Sequence, residues 1–121
     1  MSEGKKYDTG KPMVGTILRV FPRALSIVGA IIEYGTHKYP DPNNWSKNTK
    51  ITERYMDAAV RHILKYFMGD KFDEESGLPH LGHALWNIIA VLEYELRQDP
   101  ELVKKIMYPK EVRDVNGQEN V

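Results

Sequence analysis

The sequence predicts an all-α fold: an antiparallel bundle of three long helices followed by a short C-terminal helix, forming a single helical domain over residues 1–121. Three features carry this reading. Apolar residues recur three and four apart in separate stretches, prolines or capping residues stand where those stretches begin, and Gly or Asp-Pro stands where they end.

Residues 1–12 are polar, with Gly4, Gly10 and Pro12, and are expected to form a flexible arm. The first helix is expected over about 22–38. Pro22 suits its first turn, Leu25, Ile27, Val28, Ile31 and Ile32 form its apolar pattern, and Gly35 lies near its end. Strand is the competing reading, since Ile and Val are frequent there, but Ala24, Leu25, Ala30 and Glu33 and the length favour helix. Tyr39 to Asn44 carries two prolines and reads as a loop, closed by Trp45 and Ser46.

The second helix is expected to begin with Thr52 as its N-cap and to run to Met68, with Gly69 as the stop; Ile51 and Met56 have the spacing of a hydrophobic staple. Residues 70–78 form a polar connection. Pro79 opens the third and strongest helix, which reaches about Gln98, and Asp99-Pro100 ends it. A short helix over Glu101–Met107 follows, then Pro109 and a polar tail from Lys110. There is no internal repeat.

Composition narrows the function. Lys plus Arg is 17 and Asp plus Glu is 17, so the formal net charge is zero. A broad grip on long nucleic acid normally needs a basic excess; a single nucleotide needs only a few local cations. With no cysteine, any metal must be held by Asp, Glu, His, Asn or backbone oxygen. The N-terminal residues have no apolar signal core, and the longest apolar run, Ala84 to Leu92, is interrupted by Asn87 and falls short of the roughly 20 residues of a membrane span. A cytoplasmic protein with no membrane partner is expected. A chain of this size buries only about two-thirds of its unfolded surface, which makes association of copies an expectation.

Several polar groups have spacings that could carry chemistry. On the third helix His80, His83, Asn87 and Tyr94 share one side, while Leu81, Leu85, Ile88 and Leu92 form an apolar stripe expected to face a core. His80 and His83 can reach one metal or one anion, or can be ordinary structural histidines. Glu33 and His37 stand one turn apart on the first helix with Lys38 beside them; they face either a neighbouring helix or solvent. Arg54, Asp57, Arg61 and Lys65 run along one side of the second helix, and His62, on another face with Tyr55, Ala59 and Tyr66, reads as a packed histidine. Asp73, Glu74 and Glu75 precede a helix start, where carboxylates hold magnesium or manganese in phosphate chemistry, or simply satisfy the helix dipole. Trp45 beside Asn44 can stack a base or cover the core. Lys11, next to the flexible Gly10, is a weak phosphate signal. No Walker A, GxGxxG or GxSxG sequence is present.

In order along the chain come Lys6-Tyr7-Asp8-Thr9-Gly10-Lys11-Pro12, Glu33-Tyr34-Gly35-Thr36-His37-Lys38-Tyr39, Asn44-Trp45, Arg61-His62, and Glu75-Ser76-Gly77-Leu78-Pro79-His80-Leu81-Gly82-His83-Ala84 with Asn87. This series resembles the N-terminal domain of the phage dATP/dGTP diphosphohydrolases over roughly residues 5–96, the run from Glu75 to Ala84 being its most specific part. That family is related to the MazG-like all-α nucleoside triphosphate pyrophosphatases. The resemblance implies cleavage between the α and β phosphates to a monophosphate and pyrophosphate, a magnesium or manganese ion held by carboxylates from two helices, and assembly as a homo-dimer or tetramer. It also places the protein in the cytoplasm of a phage host. The chain departs from the pattern where His80-Leu81-Gly82-His83 stands in place of a Glu-x-x-Asp pair, and neutral imidazoles favour softer metals than magnesium.

The combined reading is a (deoxy)nucleoside triphosphate diphosphohydrolase. It assigns Glu33, Glu75, His80 and His83 to the metal, Glu33, Glu75, Lys38 and Arg61 to catalysis, and Lys11, Asn44, Trp45, Arg54 and Asn87 to the small-molecule nucleotide. The alternatives are a non-catalytic phage protein that sequesters a host nucleotide signal, and a structural bundle that binds a protein partner.

Overall fold

A computed structural model describes residues 4–109, and these residues are all-helical apart from loops. The helices are α1 (Val14–Val20), α2 (Pro22–Lys38), α3 (Ile51–Phe67), α4 (His80–Arg97) and α5 (Pro100–Met107), with a single 3-10 turn at Asn44–Lys47. The polar tail from residue 110 lies outside the described residues.

The three long helices fall where the apolar pattern and the punctuating prolines place them. Pro22 is the first residue of α2, and Pro100 the first of α5, where Asp99 caps the helix by accepting from the Leu102 N–H. One start differs from expectation. Thr52 is not the cap of α3: the helix begins at Ile51, behind a left-handed Lys50 with φ 51° and no side-chain cap. Ile51 is only 4% exposed, so setting its side chain in the core decides where the helix starts, and the available threonine cap goes unused. The sequence reading also missed α1. Its seven residues include several β-branched ones, no side chain caps its start, and none of it is buried, so it lacks every signal that marks a helix. Phe21 ends α1 and begins α2, and the two helices meet there at 100°. Among the described residues no single helix is long and apolar enough to cross a membrane.

α4 is the centre of the bundle, packed most extensively on α3 and then on α2. His62 of α3 lies against His80 and His83 of α4, and Tyr55 lies against Trp86, so α3 and α4 run antiparallel. The face α4 turns inward reverses the expectation. Its buried residues are His80, Gly82, Ala84, Asn87, Ala90 and Val91, whereas Leu81, Leu85, Ile88 and Leu92 are 38–54% exposed. Small and polar side chains let the neighbouring helices approach closely, and the bulky leucines and isoleucine are left on the outer face.

Gly82 marks the tightest approach. A Cβ there would lie 2.6 Å from Ile27 Cγ2 and 2.8 Å from Ile31 Cδ1 of α2, well inside contact distance. Gly82→Ala should therefore destabilise the protein, although alanine is the better helix former, because overpacking of about 1–3 kcal/mol exceeds a propensity gain of about 1 kcal/mol. In urea denaturation the cost should be smaller in an Ile27→Ala background, where Cγ2 is gone. An equal cost in both backgrounds would place the strain elsewhere.

Candidate functional site

The 12 residues between α3 and α4 form a tightly tied loop. Phe72 and Pro79 pair as an isolated antiparallel bridge, the His80 N–H donates to Lys71 O at 2.8 Å, and the Asp73 N–H donates to Leu78 O at 2.8 Å. Gly77 closes the turn, its N–H donating to Asp73 O at 2.8 Å, with φ +73°, a left-handed conformation that glycine adopts without strain. The loop fixes Asp73: its Oδ2 accepts from the Ser76 N–H at 2.9 Å. Ser76 Oγ in turn accepts from the Leu78 N–H and bonds His83 Nε2 at 2.7 Å.

Three imidazoles gather behind this loop. His62 stacks on His83 with ring centres 4.7 Å apart and planes 12° from parallel. His62 Nδ1 also faces His80 Nδ1 at 2.8 Å, and His83 Nε2 lies 3.9 Å from Asp73 Oδ2. His80 is fully buried. Its Nε2 makes no hydrogen bond, and the Asp70 carboxylate stands 3.4 Å from it. One ligand atom each from His62, Asp73 and His80 come within 4.8 Å of one another.

His62, His83 and Asp73 form one end of a cavity of about 400 Å³. Glu75 and Lys38 stand at its rim as an exposed ion pair, with the Lys38 ammonium 5.2 Å over the Tyr34 ring. Pairing with Lys38 holds the Glu75 carboxyl below its ordinary range, and the same contact raises the lysine. The other end of the cavity is aromatic. Tyr55 meets Trp45 and Trp86 edge-on, with ring centres 6.5 and 5.8 Å away, and its hydroxyl donates to Trp45 O and accepts from Asn48. Arg97 lies over the Trp45 ring at 5.2 Å. Tyr55 and His62 are two turns apart on α3, so the two ends are separated by roughly 10 Å at about 1.5 Å per residue.

The comparisons with known proteins meet this geometry. Residues 1–104 match the family model described as dATP/dGTP diphosphohydrolase, N-terminal. The chain belongs to this family. A dATP/dGTP diphosphohydrolase of Salmonella phage PMBT28 is 37% identical over 81 residues, which cover 67% of this chain and 26% of that protein. The chain therefore matches about a quarter of the length of its phage relative. No solved structure matches it.

For this member of the family, the residues singled out in the sequence fall into three groups. Lys38, Asn44, Trp45, Glu75, His83 and Asn87 line the cavity. Arg54 and Arg61 line a second, shallow depression that shares Tyr55 and Asn87 with the first. Glu33 and Lys11 line neither: Glu33 bonds His37 on the exposed side of α2, and Lys11 lies in the N-terminal arm. Glu33, Glu75, His80 and His83 are thus not gathered as one ligand set. His80 does face inward, behind His62. Asn87 is buried and donates to the His83 carbonyl at 2.8 Å.

Four residues at the site are given no role of their own by the sequence: Asp73 stands there only with its neighbouring acids, His62 and Tyr55 only on a packed face of α3, and Trp86 not at all. Tyr55 shares a face of α3 with His62 at seven-residue spacing, and Trp86 follows His83 by one turn. That spacing was the available signal.

The imidazoles make stability depend on pH. Burial, reinforced by His83 and His80, holds His62 below the ordinary 6.5, and burial lowers His83 as well, against the opposing pull of Asp73. Between the lowered folded values and 6.5 the unfolded chain binds more protons, so stability rises with pH across that window and is complete above it. In chelator-containing buffer the unfolding midpoint should be lower at about pH 5.5 than at about pH 7.5, and His62→Asn should flatten the difference. A midpoint independent of pH across that range would contradict the assigned protonation states.

Proposed function

We propose that this chain is a nucleotide diphosphohydrolase module that takes dATP, dGTP or a related (deoxy)nucleoside triphosphate to the monophosphate and pyrophosphate. The observation that carries the reading is the two-ended cavity: an aromatic end for a base and, roughly 10 Å along α3, a carboxylate–imidazole end for the phosphates. Membership of the diphosphohydrolase family supports it, as does the name of the phage relative.

The charge balance calls for a cation. Among the described residues that line the cavity, Glu75 is paired with Lys38 and Asp41 with Lys47, which leaves the Asp73 carboxylate beside two imidazoles held towards neutrality, so a polyphosphate entering alone would meet no unpaired cation at that end. A divalent ion fits the phosphate end, where an ionised carboxylate stands beside the facing ring nitrogens of His62 and His80. Such an ion supplies charge neutralisation and acidifies a bound water. Asp73 is suited to hold it. Burial raises its carboxyl, but the hydrogen bonds from Ser76 and the charge of His83 outweigh that and keep it below the ordinary carboxylate value.

The chain's own groups divide the remaining work. Trp45 and Trp86 bracket Tyr55 and offer stacking faces to the base, with Asn44 and Asn48 beside them to read its edge. Lys38 exchanges Glu75 for a phosphate oxygen, which frees Glu75 to accept a proton from the attacking water. Arg61, one residue before His62 and across Asn87, meets the far end of the polyphosphate, and Arg54, one residue before Tyr55, stands at the base end. The engagement of Glu75 by Lys38 also favours a second reading, in which the module holds a nucleotide without cleaving it.

Incubation with dATP or dGTP and manganese should release pyrophosphate and monophosphate. Asp73→Asn should reduce turnover by about 100-fold or more while the circular dichroism is unchanged, and Trp45→Ala should mainly raise KM, by roughly tenfold, the scale of one base–aromatic stack. Nucleotide that binds but is recovered intact from denatured protein supports sequestration, and no binding at all contradicts both readings.

The proposal includes self-association. Leu81, Leu85, Ile88 and Leu92 form an exposed apolar stripe along α4, the kind of face a second copy covers. Light scattering should give a dimer or larger species, and Leu85→Glu should shift it to the monomer. A wild-type monomer at all concentrations would remove the homo-oligomer from the account.

A further inference from the structure

We propose that His62, Asp73 and His80 form a transition-metal site, with Asp70 as the positioning residue that orients His80, so that the ion at the phosphate end of the cavity is of the manganese, cobalt or zinc type and not magnesium. The inference deepens the diphosphohydrolase reading and rests on it for what the ion does, but the site itself is argued from geometry alone.

The first observation is the facing pair of ring nitrogens. Without an ion, His62 Nδ1 and His80 Nδ1 at 2.8 Å share one hydrogen bond, so one ring donates and the other accepts. The same separation suits two ligands on one ion. Nitrogens at adjacent right-angled positions, each about 2.1 Å from a metal, lie about 3 Å apart. Asp73 brings a carboxylate oxygen into the same space, and one ligand atom from each of the three residues falls within 4.8 Å of the others. Asp73 comes from the tied loop, His62 from α3 and His80 from the first turn of α4, so three separate elements converge on one point.

The second observation is the burial of His80. It has no exposed surface, and its Nε2 makes no hydrogen bond, although the Asp70 carboxylate oxygen lies 3.4 Å away. A histidine that binds metal through one nitrogen commonly turns its other N–H to a carboxylate, which fixes both the tautomer and the ring orientation. Asp70 stands where such a carboxylate belongs. A small movement that closes this contact would set the proton on Nε2 and leave the Nδ1 lone pair pointing at His62 and Asp73. As a purely structural residue, His80 is an expensive choice for the interior, because an apolar side chain of similar size would bury no unsatisfied nitrogen.

The donor set decides the metal class. Magnesium prefers hard oxygen ligands in near-ideal octahedral geometry and is seldom held by imidazole. Two imidazoles and one carboxylate with positions left open suit manganese, iron, cobalt or zinc. The open positions would face the cavity through His62 and Asp73, both of which line it.

The test uses the whole chain stripped with a chelator. Titration with manganese, cobalt or zinc should raise the unfolding temperature with saturation near one ion per chain, cobalt should acquire the visible absorption of a bound ion, and magnesium at far higher concentration should do neither. In wild-type protein, nitrogen NMR of the imidazoles should show the Nδ1 signals of His62 and His80 shifting with zinc while His37 does not. Asp70→Asn should weaken binding by roughly 10–100-fold without abolishing it, and His62→Gln should abolish the cobalt spectrum. Because His80 is buried and its replacement can impair folding, the NMR shift and the half-buried His62 carry the decision. The proposal is overturned if no ion shifts those resonances, or if folded His62→Gln binds cobalt as tightly as wild type. Nucleotide turnover is scored separately. Turnover with magnesium in His62→Gln would sink the metal site and leave the diphosphohydrolase reading standing, whereas one bound ion with no nucleotide binding would do the reverse.

Discussion

The burial of a polar helix face against α3 is the constraint on which the rest of this structure depends. α4 inserts His80, Gly82, Ala84 and Asn87 into the bundle and leaves its leucines outside. Buried polar groups need partners, and here they come from what α4 packs against and from its own backbone: His80 Nδ1 meets His62, Asn87 meets the His83 carbonyl, and His80 Nε2 alone is left without a hydrogen bond among the described residues. Gly82 permits this arrangement by letting α2 approach without a Cβ between the helices. The imidazole cluster, the fixed Asp73 and the cavity above them all follow from α4 lying this way round.

That orientation joins local structure to chemistry. The loop before α4 is short enough to be held by its own backbone bonds, and it presents Asp73 and Ser76 to the first turn of the helix. α3 supplies the length scale, since His62 and Tyr55 are two turns apart and separate a carboxylate–imidazole end from an aromatic end. α2 closes the side through Tyr34 and Lys38. A nucleotide is a molecule of this shape and polarity, with a flat base at one end and anionic oxygens at the other.

The sequence made the long helices legible because their punctuation is strong: Pro22, Gly69, Pro79 and Asp99-Pro100 bracket them. It concealed α1, which has neither cap nor buried residue, and it suggested a cap at Thr52 that burial of Ile51 overrides. The site was partly visible. The run from Glu75 to Ala84, with Trp45 and Asn87, pointed to the cavity through the family resemblance it carries, since each residue type taken alone also has an ordinary structural role. The histidine–carboxylate cluster was less legible, because Glu33 and His80 look equivalent on paper. Only the packing separates them, leaving Glu33 on the exposed side of α2 against His37 and burying His80 against His62. The inward face of α4 was misread for a related reason. Periodicity locates two stripes on a helix but does not say which one the bundle buries, and small residues such as Gly82 and Ala84 carry no hydrophobic signal while deciding the matter.

The most direct measurement of the central claim is a crystal structure with a non-hydrolysable dATP or dGTP analogue and manganese. The account predicts the base beside Trp45 and Trp86 and the phosphates at the His62–Asp73 end of the same cavity. A nucleotide seated elsewhere, or a cavity that stays empty at saturating analogue, would contradict it.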